Sequence, residues 1–121
     1  MIEATCHCQA VRFQIAHAPE TVTSCNCSIC RRLGALWAYY NPSEVTLVTP
    51  DAAIDGYVHG DRMLTLHHCR VCGCTTHWSP MDETHPRMGV NARLFEPEIL
   101  AGAKVRRLDG ADTWTYFDED D

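Results

Sequence analysis

The feature that most constrains this chain is the placement of its cysteines. Eight of them lie in 121 residues and fall into three tight groups. Cys6 and Cys8 form a CxC, Cys25, Cys27 and Cys30 a CxCxxC, and Cys69, Cys72 and Cys74 a CxxCGC. An even number permits disulfides, but each group holds its thiols close together, whereas a stabilising bridge closes a longer loop. Metal ligation suits the spacing better. Zinc–sulfur bonds of about 2.3 Å put two sulfurs on one tetrahedral ion roughly 3.8 Å apart. In an extended strand residues i and i+2 share a face, so Cys6 and Cys8 lean onto one ion with His7 on the opposite side. A CxxC turn offers two sulfurs in the same way, and Gly73 directly after Cys72 fits a tight turn with positive φ. The alternatives to metal are a lone redox CxxC or buried free thiols.

Seven of these cysteines divide as four plus three. Cys6, Cys8, Cys69 and Cys72 complete a closed set of four thiolates, the pattern of a structural zinc site, whose binding energy becomes folding energy. Cys25, Cys27 and Cys30 leave a vacant fourth position, the pattern of a catalytic zinc. Cys74 is left over, either a free thiol on the strand after the knuckle or an alternative to Cys72. Charge then selects the chemistry. A divalent ion with three thiolates carries a net −1 and is a weak Lewis acid, which disfavours hydrolysis. Such a soft site prefers a soft fourth ligand, and a substrate thiol bound as thiolate is the nucleophilic form. An iron–sulfur or redox protein is the rival, since tetrahedral sulfur suits iron too.

The rest of the composition narrows the partners. The net charge is −6, with Arg31-Arg32 and Arg106-Arg107 the basic doublets, which argues against nucleic-acid backbone binding. No apolar run approaches the roughly 18 residues of a membrane span. The N-terminal stretch MIEATCHCQA lacks the basic and apolar regions of a signal peptide, so a cytoplasmic location is expected, where thiols stay reduced. One domain over residues 1–117 is expected, followed by an acidic tail, DEDD, at 118–121.

Many short strands separated by turns predict an all-β domain. AVRFQIA alternates, with Val11, Phe13 and Ile15 on one face. TVTSCN, ALWAYY, VTLVT, RMLTLHHC, CTTHW and MGVNARL read as strands, with a short strand amid the turns of DGYVHGD. SICRRLG reads as one helical turn closed by Gly34, NPSE as a turn, 79–87 as a loop and EPEILAG as a helical turn. KVRRLD and TWTYF close the chain.

The three clusters in this order, with CHCQAVRFQI, CNCSICRRLG, MGVNARL and KVRRLDGADTW around them, resemble the glutathione-dependent formaldehyde-activating enzyme family, which includes centromere protein V. The resemblance covers most of residues 4 to 114. It implies a β-tent fold of short antiparallel sheets pinned by two zinc ions per chain. Cys6, Cys8, Cys69 and Cys72 match the structural ligands, and Cys25, Cys27 and Cys30 the catalytic ones. It also implies carbon–sulfur lyase-type chemistry on a small-molecule thiol and aldehyde, as in S-hydroxymethylglutathione formation. Asn26 departs from the histidine that many members carry there; an amide cannot move a proton as imidazole does. A non-catalytic zinc-stabilised binding module is the alternative, although it has no need of a vacant metal position.

Other residues carry weaker signals. Arg31 and Arg32 follow the open site and suit a substrate carboxylate, or form a solvated helical turn. Trp37, Tyr39 and Tyr40 wall a pocket or pack in the core. Asn91 reads as a turn or edge residue, or part of a site. His67 and His68 precede Cys69 and read as surface or supporting residues. His17, His59, His77 and His85 are given no role.

Overall fold

The computed structural model describes residues 1–49, 53–58, 60, 63–82 and 84–117. The segments rich in β-branched and aromatic residues form its strands: β1 Ile2–Thr5, β2 Arg12–Ile15, β3 Thr21–Cys25, β4 Trp37–Tyr40, β5 Val45–Leu47, β6 Ile54–Val58, β7 Leu64–Cys69, β8 Thr75–Pro80, β9 Met88–Asn91 and β10 Lys104–Leu108. Two short helices, α1 Cys30–Leu33 and α2 Pro97–Ala101, interrupt them. The chain is mainly β, as its sequence implies. His59 and the acidic tail lie outside the described residues.

The strands make a three-stranded sheet, β1-β2-β5, and a seven-stranded sheet, β10-β3-β4-β9-β8-β7-β6. Alternation sets the inward face of the first. Val11, Phe13 and Ile15 are fully buried, and Ala4 of β1 joins them. They meet Val22, Ala38, Tyr40, Val90, Ala92 and Phe95 of the larger sheet and its connections in one apolar core. Ala35, Trp37, Leu66 and Trp78 form a second, smaller cluster, against which Ile29 and Cys30 pack.

The pairing is antiparallel except between β10 and β3, which run parallel with Leu108 opposite Cys25. This modifies the expectation of antiparallel sheets alone. On its other edge β3 meets β4 at a single registered pair, Thr23 with Trp37. The CxCxxC turn and α1 form the connection between these two strands.

Three segments differ locally from their expected form. Cys6 to Cys8 is a turn, not a strand: Gln9 N–H bonds back to Cys6 C=O at 3.1 Å, and Gln9 takes φ 68°. MGVNARL is a strand only to Asn91, whose side chain caps a 3₁₀ turn over Ala92–Leu94. TWTYF contributes one isolated bridge, Leu108 to Tyr116, within a turn. The helical turn at α1 is as expected and ends on Gly34 at φ 68°. NPSE forms a 3₁₀ turn with a capping box between Asn41 and Glu44.

Candidate metal centre

The first sulfur cluster assembles where the end of β1 meets the β7–β8 hairpin. Cys6, Cys8, Cys69 and Cys72 place their Sγ atoms within 4.8 Å of one another. Cys6 and Cys8 are 3.7 Å apart, and Cys8 and Cys69 3.6 Å. Those separations are close to the edge of a tetrahedral zinc–thiolate site, about 3.8 Å, so the set fits such an ion. Both the CxC segment and the hairpin turn present backbone donors to the sulfurs. Val11 N–H points to Cys6 Sγ at 3.3 Å, and Cys72 N–H to Cys69 Sγ at 3.5 Å. Gly73, at φ 83°, allows the chain to reverse while its N–H bonds to Cys69 C=O at 2.8 Å. Backbone N–H groups of Cys74 and Cys8 bring the Cys72 thiol down to about 5. Cys6 and Cys69 are buried and Cys8 is exposed, so one corner faces solvent.

Cys74 stays outside this set. It packs against the main core, and its sulfur accepts the backbone N–H of His7. It therefore helps seat the CxC turn without belonging to the four-sulfur group.

The second cluster, Cys25, Cys27 and Cys30, also lies within a 4.8 Å spread. Cys25 ends β3, Cys30 begins α1, and the turn between them brings Cys27 alongside. Cys30 N–H points to Cys27 Sγ at 3.4 Å, and the indole Nε1–H of Trp37 donates to Cys30 Sγ at 3.4 Å. A hydrogen bond from Cys30 lowers the Cys25 thiol to about 6, against burial and aided by the N–H groups of Cys27 and Gly110. The same contact, with burial, pushes Cys30 up. Of this hydrogen-bonded pair Cys25 ionises first, and the donors around it favour a thiolate.

This cluster borders a cavity of about 440 Å³. Cys25 and Cys30 line it, and so do Arg31, Arg93 and Arg107. Among the described residues no acidic side chain lines this cavity, and no ion pair engages the three arginines. Arg93 Nε–H donates to Gly34 C=O at 2.7 Å, and Arg107 stands 5.5 Å from the Phe117 ring. The result is a cationic chamber beside an anionic sulfur cluster.

The remaining residues fall out differently. Arg32 bonds Ser28 C=O at 2.6 Å on the exposed side of α1, so only Arg31 of that doublet reaches the cavity. Trp37 both packs and donates to sulfur, while Tyr40 donates to His17 C=O at 3.0 Å and is core. Tyr39 lies under Arg87, 4.3 Å from ring to guanidinium, and burial pushes its phenol up to about 12. Asn91 is a buried strut in the middle of the larger sheet, not an edge residue. His67 bonds Ser79 and His68 faces Asp55, and neither belongs to the four-sulfur group. Sequence reasoning missed Arg93, Asp109 and Gly110. Only the Asp-Gly turn signal of the last two was visible, because their neighbours come from distant parts of the chain.

Comparison with known proteins agrees with this arrangement. A family model described as glutathione-dependent formaldehyde-activating enzyme matches residues 1–105. A crystal structure of a Rhodobacter sphaeroides protein is similar at 29% identity with a TM-score of 0.68, over 86% of this chain and 99% of that one. With both sulfur clusters inside the matched region, the chain belongs to the glutathione-dependent formaldehyde-activating enzyme family.

Proposed function

We propose that this protein is a zinc-dependent enzyme of the carbon–sulfur lyase type. It binds a small thiol such as glutathione beside Cys25, Cys27 and Cys30 and forms or cleaves the thiol's aldehyde adduct, of the S-hydroxymethyl kind. Cys6, Cys8, Cys69 and Cys72 would hold the structural zinc, and Cys25, Cys27 and Cys30 the catalytic one. The observation that carries this reading is the three-sulfur cluster opening onto a cavity lined by three arginines. An ion held there supplies a soft electrophilic point that favours the thiolate form of an incoming sulfur.

The residues of the chain account for the rest. Arg31, Arg93 and Arg107 offer guanidinium donors for the carboxylates of the thiol and fix its orientation. Gly34 and Ala35 leave room for the aldehyde. The substrate S–H proton leaves to solvent, the sulfur lone pair forms the C–S bond, and the carbonyl π pair moves to oxygen, which takes up a proton. Reversal breaks the same bond. Asn26 contributes no proton, because both ends of its amide are engaged with residues 109 and 111. The guanidinium groups also favour the developing oxyanion by their charge.

The test is turnover of thiol and aldehyde pairs by zinc-loaded protein, compared with Cys27→Ser and Arg107→Ala. Cys27→Ser should abolish turnover. Arg107→Ala should raise KM for glutathione by about tenfold, the loss of one charge-assisted contact, and leave a neutral thiol unaffected. Rates at background for every pair would leave the binding-module reading in place of the enzyme.

A further inference from the structure

Asn26 occupies the position where an acid–base residue would be expected, and the structure gives it a mechanical task. Its Nδ2–H donates to Asp109 Oδ1 at 3.0 Å, and its Oδ1 accepts Ala111 N–H at 2.9 Å. Its own backbone N–H donates to Leu108 C=O at 3.2 Å. One side chain therefore grips both flanks of Gly110. The gripped loop is internally fixed as well. Asp109 Oδ2 accepts the Thr113 hydroxyl at 2.9 Å, Asp109 C=O accepts Trp114 N–H at 2.7 Å, and Asp109 N–H donates to Thr115 C=O at 2.8 Å. Tyr116, further along, meets the Thr23 hydroxyl at 2.9 Å.

The grip places Gly110 against the sulfur cluster. Gly110 is buried, and a Cβ built on it would overlap Cys25 Sγ, with Cys27 Cβ and the Trp114 ring at 3.4 Å. No other residue type fits there without displacing Cys25. Backbone approach of this kind puts an amide hydrogen on the thiolate, and such outer contacts orient metal ligands and set their electron density.

We propose that Asn26, Asp109 and Gly110 form a latch that positions Cys25 as a ligand of the open site. Asn26 and Asp109 are the positioning pair, and Gly110 is the point of contact. The proposal rests on reading Cys25, Cys27 and Cys30 as metal ligands. Asparagine suits the task because it donates at one atom and accepts at the other. Aspartate at 26 keeps the acceptor for Ala111 but sets two carboxylates against each other. A reciprocal exchange, Asn26→Asp with Asp109→Asn, restores the bond between the two side chains with its donor direction reversed and keeps the acceptors for Ala111 and Thr113.

The experiment is cobalt(II) titration of the purified full chain, following the thiolate-to-cobalt absorption bands and the number of ions bound. Wild-type protein, Asn26→Ala, Asn26→Asp and the reciprocal double variant are compared. Wild type should take up two ions. Each single variant should bind the second ion about 10–100-fold more weakly, with altered charge-transfer intensity and the first ion unaffected. The double variant should recover the wild-type affinity and spectrum. Two results overturn the latch while leaving the ligand reading intact: single variants with wild-type second-ion binding, or a double variant no better than either single one. If a single variant fails to fold, recovery or non-recovery in the double variant decides in the same way. Uptake of only one ion by the wild type would instead overturn the ligand reading itself, and the latch with it.

Discussion

Asn91 joins three parts of the fold through one buried amide. Its Oδ1 accepts Leu36 N–H at 3.3 Å and Arg93 N–H at 3.2 Å, and its Nδ2–H donates to Thr75 C=O at 2.8 Å. Asn91→Leu keeps the volume and orphans all of these groups, which should cost about 2–4 kcal/mol in urea unfolding of the metal-loaded protein; a loss below the error of the measurement would refute this. His77 makes a second residue-scale prediction. It stacks on His67 at 4.2 Å, meets the Phe13 ring edge-on and bonds the Thr76 hydroxyl. Burial, and then the neighbouring His67, push its imidazole down to about 3. The unfolded chain takes up this proton near pH 6.5, well before the folded one. The stabilisation is therefore complete above that pH and is lost as pH falls towards 3, by up to about 1.4 kcal/mol per pH unit. Unfolding free energies measured between about pH 7.5 and 5.5 should fall less steeply for His77→Gln than for wild type, and parallel slopes would contradict this. Neither role was legible in the sequence. Leu36 is 55 positions from Asn91, and a lone histidine carries no sign of what it stacks on.

Among the elements, the strands with clean alternation were legible because one face of each is buried. Phe13 and Ile15, with Val11 just before them, identify β2 unaided. The helical turn at α1 was legible from Gly34, whose positive φ closes it. The CxC turn was not, because two residues sharing a metal fit an extended strand and a tight turn equally well. The parallel partnership of β10 with β3 was also hidden, since pairing direction depends on a crossover that local pattern does not encode. Close packing between elements gives the prediction at this scale. Gly89 of β9 lies directly against the Trp78 indole of β8, and a Cβ there would overlap it. Gly89→Ala should destabilise the sheet by about 1–3 kcal/mol, with a shift in tryptophan emission. Wild-type stability and emission would show that β8 can retreat at no cost.

At the scale of the molecule, the two sulfur clusters are unequal partners in stability. The set of Cys6, Cys8, Cys69 and Cys72 brings the end of β1 to the β7–β8 hairpin, across more than half of the chain. The set of Cys25, Cys27 and Cys30 closes only a local turn. Cys69→Ser should therefore lower stability by several kcal/mol or abolish folding, since metal binding in small domains contributes on the order of 10 kcal/mol. Cys27→Ser should leave a folded protein with one ion fewer. Circular dichroism melting alongside elemental analysis separates these outcomes, and equal damage from both substitutions would refute the inequality. The grouping of the sulfurs into four and three was legible in the cysteine spacing, because close-set thiols in one turn gather at one point. The cavity and its arginines were not, because Arg31, Arg93 and Arg107 converge from three remote segments.

The parallel alignment of β10 with β3 also bears on the order of events during synthesis. A ribosome that has released residues 1 to 80 has already delivered both arms of the four-sulfur cluster, which can close before the residues that follow emerge. The three-sulfur cluster has its thiols by residue 30, yet Gly110, which follows β10, is made only after all four sulfurs of the other cluster. The four-sulfur set can thus assemble on a nascent chain before Gly110 is made, whereas the three-sulfur set gains its Gly110 contact only afterwards.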